Sequence, residues 1–265
     1  MKFAVTRLSA VSSTNEAAKE LARAGAPEGT VVTADEQTAG RGTKGRSWHS
    51  APGLGLYASV ILRPPAEALA VLPLAAGIAA GEAVAKSSGI AVRLKWPNDL
   101  LWQGRKLGGV LCESGFTGAE FDFAVVGIGL NVGHGLGDFP DELRGRAVSL
   151  RMAAERAIGR EAVLAAFLQE LEIWLKRLDR QGGAAIAAAF ASRAVPEIGA
   201  EIVVDAGEAR WPPATRGSPP TAPCSSPRPP ALAVFYPPKS FGFFESIETH
   251  KECPGLETGG FSPLL

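Results

Sequence analysis

The chain is poor in cysteine and carries no net charge, and each shortage excludes a class of protein. Three cysteines in 265 residues, at positions 112, 224 and 253, are too few and too scattered for a disulfide framework or a zinc site. Lys and Arg together number 27, and so do Asp and Glu. A neutral chain offers no electrostatic case for binding nucleic acid or an anionic membrane surface, so we expect neither as a partner.

Long apolar runs are missing as well. The longest, at positions 68–85, is interrupted by Pro73, Gly77, Gly81 and Glu82, so it predicts a buried Ala-rich helix rather than a membrane span. The N-terminal segment contains no apolar core of signal-peptide length. The sequence therefore predicts a cytoplasmic protein.

Apolar residues make up 46% of the chain, which is enough for one large domain and a small one. Helical patterns begin near Ser13, continue through the Ala-rich stretch to about Ser88, and return at 160–178 and 184–191. Strand-like runs lie between them, at 30–34, 54–62, 92–96, 100–102, 106–113 and 121–132. Strands clustered between helical regions predict an α+β fold with a mixed β-sheet flanked by helices.

The segment GRGTKGRSW, residues 40–48, formally contains the pattern G-x-G-x-x-G. A dinucleotide fingerprint would need a helix opening within it, whereas a β-like run follows here, so that interpretation fails on context. Glycines still let the backbone approach a ligand closely. Arg41, Lys44 and Arg46 supply cations that suit a phosphate or a carboxylate. A solvated basic loop is the alternative.

Three further motifs follow in order, and each also has an ordinary structural explanation. KWPND, residues 95–99, sets a rigid turn with a lysine and an aspartate on either side of it, or is a plain hairpin turn. In GRKLGGVLCE, residues 104–113, a lysine is followed by paired glycines. Either the lysine ammonium points at a ligand that lies against the glycine backbone, or the segment is a turn with a surface lysine. VGIGLNV, residues 126–132, has alternating glycines that weaken a strand unless a ligand or another backbone packs there; close sheet packing is the alternative.

Taken in order, SSTN, Gln37 with GRGTKGRSW, KWPNDL, GRKLGGVLCE and GIGLN closely resemble the catalytic domain of the biotin–protein ligases. The resemblance is dense over residues 11–132 and extends more loosely to about 199. It implies the biotin–lipoate ligase catalytic fold, which is similar to that of class II synthetases. It also implies a ligase that forms biotinyl-adenylate from biotin and ATP with Mg²⁺, and then transfers biotin to a lysine of the carrier domain of acetyl-CoA carboxylase or a related carboxylase.

The resemblance also assigns residues. Ser13, Thr14 and Asn15 match the segment that contacts the ureido ring of biotin, and Lys106 matches the lysine that contacts the biotin carboxylate and the α-phosphate. Asn98, Asp99 and Asn131 match positions near the nucleotide and metal, although no residue is assigned as a direct metal ligand. The implied catalytic residues are Lys106, Arg41 and Asp99. The implied binding residues are Ser13, Thr14, Asn15, Gln37, Gly40, Arg41, Gly42, Trp48, Lys106, Gly108, Gly109 and Asn131.

Three other side chains need separate mention. Many members of the family have arginine where this chain has Thr43, so we expect weaker retention of the adenylate unless Lys44 or Arg46 supplies the charge. Cys112 is predicted to be a buried, small apolar residue rather than a nucleophile. His49 and His134 show no spacing typical of metal ligands or of a catalytic triad, so neither receives a role.

The sequence also predicts how the chain divides into domains. Residues 1–196 are predicted to form the catalytic domain, and 197–211 a remnant of the SH3-like barrel that relatives carry. Ten of the 20 prolines fall between 212 and 238, so 212–265 is predicted to be a disordered or frameshifted tail. Reading across codon boundaries at 219–226 can yield an Asp-Gly turn entering an apolar strand, which favours a frameshift after about Trp211. Because the motifs begin so early, we expect a monofunctional enzyme without an N-terminal DNA-binding domain.

Two alternatives stay open from the sequence. A lipoate–protein ligase or octanoyltransferase would share the catalytic fold, but GRGTKGRSW and KWPND favour biotin. A biotin-binding protein impaired in catalysis would bind biotin yet fail to label a carrier domain. Whether the protein forms a homodimer is left open.

Overall fold

The computed structural model describes residues 1–195. The predicted boundary at 196, the segment 197–211 and the proline-rich segment 212–265 lie outside the described residues. The described part contains one sheet of eight strands, in the order β1-β2-β3-β7-β6-β5-β4-β8. The strands are β1 (Ala4–Val11), β2 (Thr30–Gln37), β3 (Gly55–Leu62), β4 (Arg93–Lys95), β5 (Asp99–Trp102), β6 (Arg105–Thr117), β7 (Glu120–Asn131) and β8 (Ala194–Val195).

The sheet is mixed, because its two outermost pairs, β1 with β2 and β4 with β8, are parallel and its other five pairs are antiparallel. At its centre, β6 and β7 form a long hairpin in which Gly109 lies opposite Gly129. The predicted mixed sheet flanked by helices is therefore confirmed.

Helices cover both faces of the sheet. They are α1 (Thr14–Arg23), α2 (Leu72–Ser88), α3 (Leu150–Ala154) and α4 (Arg160–Ala191). Alternation along a strand divides its side chains between the faces. On β2, Val32 packs with Ala18 and Ala22 of α1, whereas Val31 belongs to the larger core that holds α2 and α4. Helix α1 thus covers a small part of one face, and the rest of that face is left for a pocket.

The start of α1 differs from the simplest expectation of a serine cap. Ser13 is the N-cap residue and has an extended backbone, but its side chain caps no N–H group. Instead, Oε1 of Gln37, at the end of β2, accepts from the backbone N–H of Thr14 at 2.9 Å. A long-range contact therefore replaces the local cap and ties the helix start to the sheet.

The predicted helices are confirmed, with two refinements. The Ala-rich helix ends at Gly89, whose φ of 78° is the left-handed conformation common at helix ends. The two helices predicted at 160–178 and 184–191 are joined in α4, but Gly182 interrupts it with φ 75° and ψ 174°. Among residues 1–195, no helix combines the length and apolar character that a membrane span requires.

Candidate active site

A cavity of about 540 Å³ opens on the face of the sheet that carries α1. This volume is within the range typical of small-molecule sites. Most of the site residues expected from the sequence line it. They are Ser13, Thr14, Asn15, Gln37, Arg41, Gly42, Trp48, Asp99, Lys106, Gly109 and Asn131. Gly40 and Gly108 are not part of the wall.

The start of α1 forms one end of the cavity as a polar, uncharged network. The hydroxyl of Thr14 donates to Oε1 of Gln37 at 3.1 Å, and Nε2 of Gln37 donates to Ser50 at 2.9 Å. Ser59 on β3, which is fully buried, lies 2.8 Å from the Thr14 hydroxyl and 2.6 Å from Oδ1 of Asn15. Sequence reasoning missed Ser59, because one serine in an apolar strand gives no signal by itself.

The alternating glycines of β7 make room for side chains of the site. A Cβ on Gly127 would lie 2.0 Å from Oδ1 of Asn15, and a Cβ on Gly129 would lie 2.8 Å from the ring of Trp48. Real Cβ atoms do not approach other atoms so closely. Close packing does explain these glycines, but the groups that pack on them are two predicted binding residues rather than another strand.

Lys106, near the start of β6, reaches the other part of the cavity. Its Nζ lies 2.7 Å from Oδ1 of Asp99 and 5.5 Å from the centre of the Trp48 ring. The lysine side chain is about one-third exposed, so its ammonium is available to a ligand. Lys106, Asp99 and the ring of Trp48 therefore meet at one point of the cavity, an arrangement that the separate motifs did not specify.

The backbone around Lys106 is held by a neighbouring segment. The N–H of Lys106 donates to the carbonyl of Arg146 at 2.8 Å, and its carbonyl accepts from the N–H of Val148 at 3.0 Å. Asn131 donates through Nδ2 to the carbonyls of Val148, at 3.1 Å, and Lys106, at 3.4 Å. Asn98 similarly donates to the carbonyl of Val110 at 2.9 Å. The two amides fasten the walls of the cavity together, which the resemblance did not indicate.

The glycine-rich segment closes on itself beside the cavity. Arg46 donates to the hydroxyl of Thr43 at 3.0 Å and to its carbonyl at 3.3 Å. Lys44 has φ 58°, a left-handed conformation that is uncommon for a residue with a side chain. Arg41 pairs with Glu16 of α1 and is 55% exposed, so it is not yet engaged inside the cavity.

The ion pair between Arg41 and Glu16 lies beside Lys19 and a second acid, Glu113. Lys19 donates to Glu16 at 2.8 Å and to Glu113 at 2.7 Å. The hydrogen bond from Lys19 lowers the pKa of Glu16. Burial alone would lower the pKa of Lys19, but its hydrogen bonds to Glu113 and Glu16 outweigh burial and raise that pKa. Glu16 and Lys19 are therefore both charged at neutral pH.

The cavity has an excess of positive charge. Its lining includes the cations Arg41, Arg46, Lys95, Lys106 and Arg146. Among the described residues that line it, Asp99 is the one acidic side chain. Such a lining suits an anionic, phosphate-bearing ligand. Within residues 1–195, no group of three His, Cys, Asp or Glu side chains is placed to hold a metal ion by itself.

Two groups outside the cavity lining, His134 and Cys112, are poorly suited to proton transfer and nucleophilic attack. Burial lowers the pKa of His134 to about 4, and its ring stacks on Phe139 with the ring centres 4.8 Å apart. His49 lines the cavity and contacts the carbonyl of Asp138 at 3.1 Å. Burial raises the pKa of the Cys112 thiol to about 12, which agrees with its predicted inertness. A second, more open cavity of about 780 Å³ beside Arg151 and Arg156 contains no predicted site residue.

Comparison with known proteins supports the resemblance found in the motifs. Residues 8–131 match the model of the biotin/lipoate A/B protein ligase family. A relative from Paracoccus denitrificans, named biotin–[acetyl-CoA-carboxylase] ligase, is 35% identical over 208 residues, which are 76% of this chain and 85% of that protein. The chain belongs to the biotin/lipoate A/B protein ligase family. The resemblance to biotin–protein ligases is thereby confirmed.

Other members of the biotin/lipoate ligase family match over different lengths. The bifunctional ligase/repressor BirA of Bacillus subtilis is 44% identical over 156 residues, which are 58% of this chain. Those residues are 48% of the BirA chain, so the present chain spans about half the length of this relative. Among solved structures, the Aquifex aeolicus biotin protein ligase in complex with biotin and ATP has a TM-score of 0.65 and 32% identity. That match covers 78% of this chain and 84% of the Aquifex chain.

The two predicted glycines that do not line the cavity have other surroundings. A Cβ on Gly40 would lie 2.6 Å from the carbonyl oxygen of Trp48, so this glycine lets the loop fold back on itself. Gly108 lies on the face opposite to Gly109, where a Cβ would meet Leu130 at 2.3 Å. In this family member, Gly109 is the glycine of the pair that forms the wall.

Proposed function

We propose that this protein is an ATP-dependent biotin–protein ligase. It would join biotin to AMP and then transfer the biotinyl group to a lysine of a biotin carboxyl carrier domain of acetyl-CoA carboxylase or a related carboxylase. The observation that carries the proposal is one cavity with an uncharged polar end at Thr14 and Asn15 and a cationic part at Lys106. Biotin has the same asymmetry, with a neutral ureido ring at one end and a carboxylate at the other.

The polar end suits the ureido ring. Thr14, Gln37 and Asn15 offer donors and acceptors without a net charge, and a neutral ring with two N–H groups and one carbonyl needs that pattern. The apolar tail of biotin would then lie against the indole of Trp48 and the backbone of Gly109, between this end and Lys106. Membership of the family and the biotin and ATP complexes of the Aquifex aeolicus relative support this placement.

The first step is attack of a biotin carboxylate oxygen on the α-phosphorus of ATP, with release of pyrophosphate. Lys106 would offset negative charge on the carboxylate and the α-phosphate while they approach. Arg41 would exchange Glu16 for a phosphate oxygen when the loop engages the nucleotide. Asp99 and the phosphates of the nucleotide are suited to Mg²⁺, which is usually held by one or two carboxylates together with phosphate oxygens. Bound there, the ion would neutralise phosphate charge.

The second step is attack of the carrier lysine on the acyl carbon of the adenylate, with release of AMP. Lysine must be neutral to attack, and its ordinary pKa is about 10.4. We assign Asp99 to take or orient the proton of the incoming amine. No covalent bond between biotin and the enzyme is required.

The decisive experiment measures two activities. Exchange of labelled pyrophosphate into ATP should depend on biotin and should not be supported by lipoate. Incubation with ATP, Mg²⁺ and a purified carrier domain should label the carrier lysine with biotin. Biotin binding without either activity would favour an impaired binding protein, and lipoate-dependent exchange would favour a lipoate ligase. A cytoplasmic location and the absence of nucleic-acid binding remain predictions from the sequence, which left the oligomeric state open.

A further inference from the structure

The side-chain amide of Asn15 makes three hydrogen bonds within the protein. Its Nδ2 donates to the carbonyl of Leu111 at 3.2 Å and to Oε2 of Glu113 at 2.7 Å. Its Oδ1 accepts from the hydroxyl of Ser59 at 2.6 Å. A side-chain amide has two N–H donors and two acceptor lone pairs. Asn15 can therefore offer a ligand one lone pair of Oδ1 and no N–H.

Glu113 is the group that enforces this orientation. Ser59 tolerates either orientation of the Asn15 amide, because a hydroxyl both donates and accepts. A carboxylate accepts only, so it requires the NH₂ group of Asn15 on its own side. The carbonyl of Leu111 acts in the same direction, but at 3.2 Å and without charge it is the weaker acceptor.

Lys19 in turn holds Glu113. Its ammonium donates to Oε1 of Glu113 at 2.7 Å and to Oε1 of Glu16 at 2.8 Å, and the lysine side chain is only 12% exposed. Glu113 therefore receives a hydrogen bond on each oxygen, one from Asn15 and one from Lys19. A carboxylate can accept on both oxygens. An amide in its place would turn its NH₂ group toward one of the two donors, Asn15 or Lys19.

We infer that Glu113 is a positioning residue for the recognition of a cyclic urea. It holds the amide of Asn15 so that the Asn15 oxygen accepts from an N–H of the ring. This inference rests on the proposed function, since it names the residue that sets the hydrogen-bonding pattern of the proposed biotin site. The side chain of Glu113 does not line the cavity, and the motif that it ends assigned it no role.

The test is Glu113→Gln, which keeps the size of the side chain. The new amide should turn its oxygen to the ammonium of Lys19 and its NH₂ group to Nδ2 of Asn15, where two donors then face each other. We expect the dissociation constant for biotin, measured by calorimetry, to rise about tenfold or more. The KM for ATP should change far less, because the proposed phosphate site at Lys106 and Arg41 does not include this amide.

The double variant Lys19→Met with Glu113→Gln separates positioning from general damage to the fold. Without the ammonium, the new amide is free to turn its oxygen back to Asn15, while Arg41 still pairs with Glu16. Biotin affinity should return to within about threefold of that of the unaltered protein. Glu172→Gln, a carboxylate of α4 that pairs with Lys176 and lies outside the cavity lining, is the matched control and should bind biotin normally.

The outcomes are distinguishable. If the unaltered protein does not bind biotin, the proposed function is wrong, and this inference fails with it. If it binds biotin and Glu113→Gln binds equally well, the function stands and the positioning role is wrong. A single variant that is weakened but not restored by Lys19→Met also overturns the inference, because damage to packing would not be relieved by removing a second charge.

Discussion

Trp48 occupies space on β7 that exists only because residue 129 is glycine. A Cβ at that position would lie 2.8 Å from Cε2 and Nε1 of the indole. The ammonium of Lys106 is 5.5 Å from the centre of the same ring. Trp48 therefore contacts the sheet and lies beside the lysine, and it links the glycine-rich loop to the cavity.

Gly129→Ala should displace Trp48 and weaken adenylate formation. The methyl group cannot enter without moving the indole, and overpacking of this kind costs about 1–3 kcal/mol. We expect kcat/KM for biotin in pyrophosphate exchange to fall about tenfold, with the fluorescence of Trp48 altered. Gly137→Ala is the control, since nothing lies within 4 Å of its Cβ position, and it should keep full activity. Equal activity of the two variants would show that Trp48 does not matter for the site.

Lys106→Met should greatly lower the rate of the first step, the formation of biotinyl-adenylate. The apolar side chain keeps the length of lysine but loses the charge assigned to the carboxylate and α-phosphate. Loss of one well-placed electrostatic partner typically costs roughly 10²–10³ in rate, so biotin-dependent pyrophosphate exchange should fall by that amount. Lys176→Met, an exposed lysine of α4, should leave the rate unchanged. Near-normal exchange by Lys106→Met would contradict the assignment.

Asp99→Asn should slow the second step more than the first. Pyrophosphate exchange reports the first step, and labelling of the carrier domain from preformed biotinyl-adenylate reports the second. An amide does not take up the proton of the attacking amine, so we expect the transfer rate to fall about 10²-fold. Because Asp99 also pairs with Lys106 and is the carboxylate proposed to hold Mg²⁺, pyrophosphate exchange should fall as well. An unchanged transfer rate would remove Asp99 from the mechanism.

His134 should make the fold less stable in acid. Its pKa is lowered to about 4 by burial, whereas an unfolded histidine titrates near 6.5. Between these values the unfolded chain binds the extra proton, so stability rises with pH and is lost as pH falls from about 6.5 toward 4. The loss attributable to this residue is at most on the order of 3 kcal/mol.

His134→Leu is the variant that isolates this effect. Chemical denaturation at several values between pH 7.5 and 4 should show a shallower dependence of unfolding free energy on pH than in the unaltered protein. His49 and Asp138 are present in both proteins and cancel in the comparison. Parallel curves would show that the pKa of His134 is the same in the folded and unfolded states, which would contradict this prediction.

The sequence predicted those parts of the fold that depend on local patterns. The apolar periodicities at 68–88 and 160–191 marked α2 and α4, and the strand-like runs marked the centre of the sheet. Strand β1 was missed because it is an edge strand, and only its residues Val5, Leu8 and Val11 are partly buried. A break at Gly182 was also implicit in the two separate helices that were predicted.

For the site, the sequence predicted the segments involved but not the contacts between them. The motifs indicated which segments line the cavity, because their glycines and charges are unusual for ordinary turns. They did not indicate how the segments hold one another. The pairing of Arg41 with Glu16, and the orientation of Asn15 by Glu113, join residues 25 and 98 positions apart, and such contacts appear only once the chain is folded.

The segment at 146–148 holds Lys106 through contacts from outside the strand that carries this residue. The carbonyl of Arg146 accepts from the N–H of Lys106, and the N–H of Val148 donates to the carbonyl of Lys106. Nδ2 of Asn131 donates to the carbonyls of Lys106 and Val148. A transient local opening of this short segment would release the lysine while the rest of the sheet stays intact. The working lifetime of the enzyme at elevated temperature should therefore follow amide-exchange protection at Val148 rather than global unfolding.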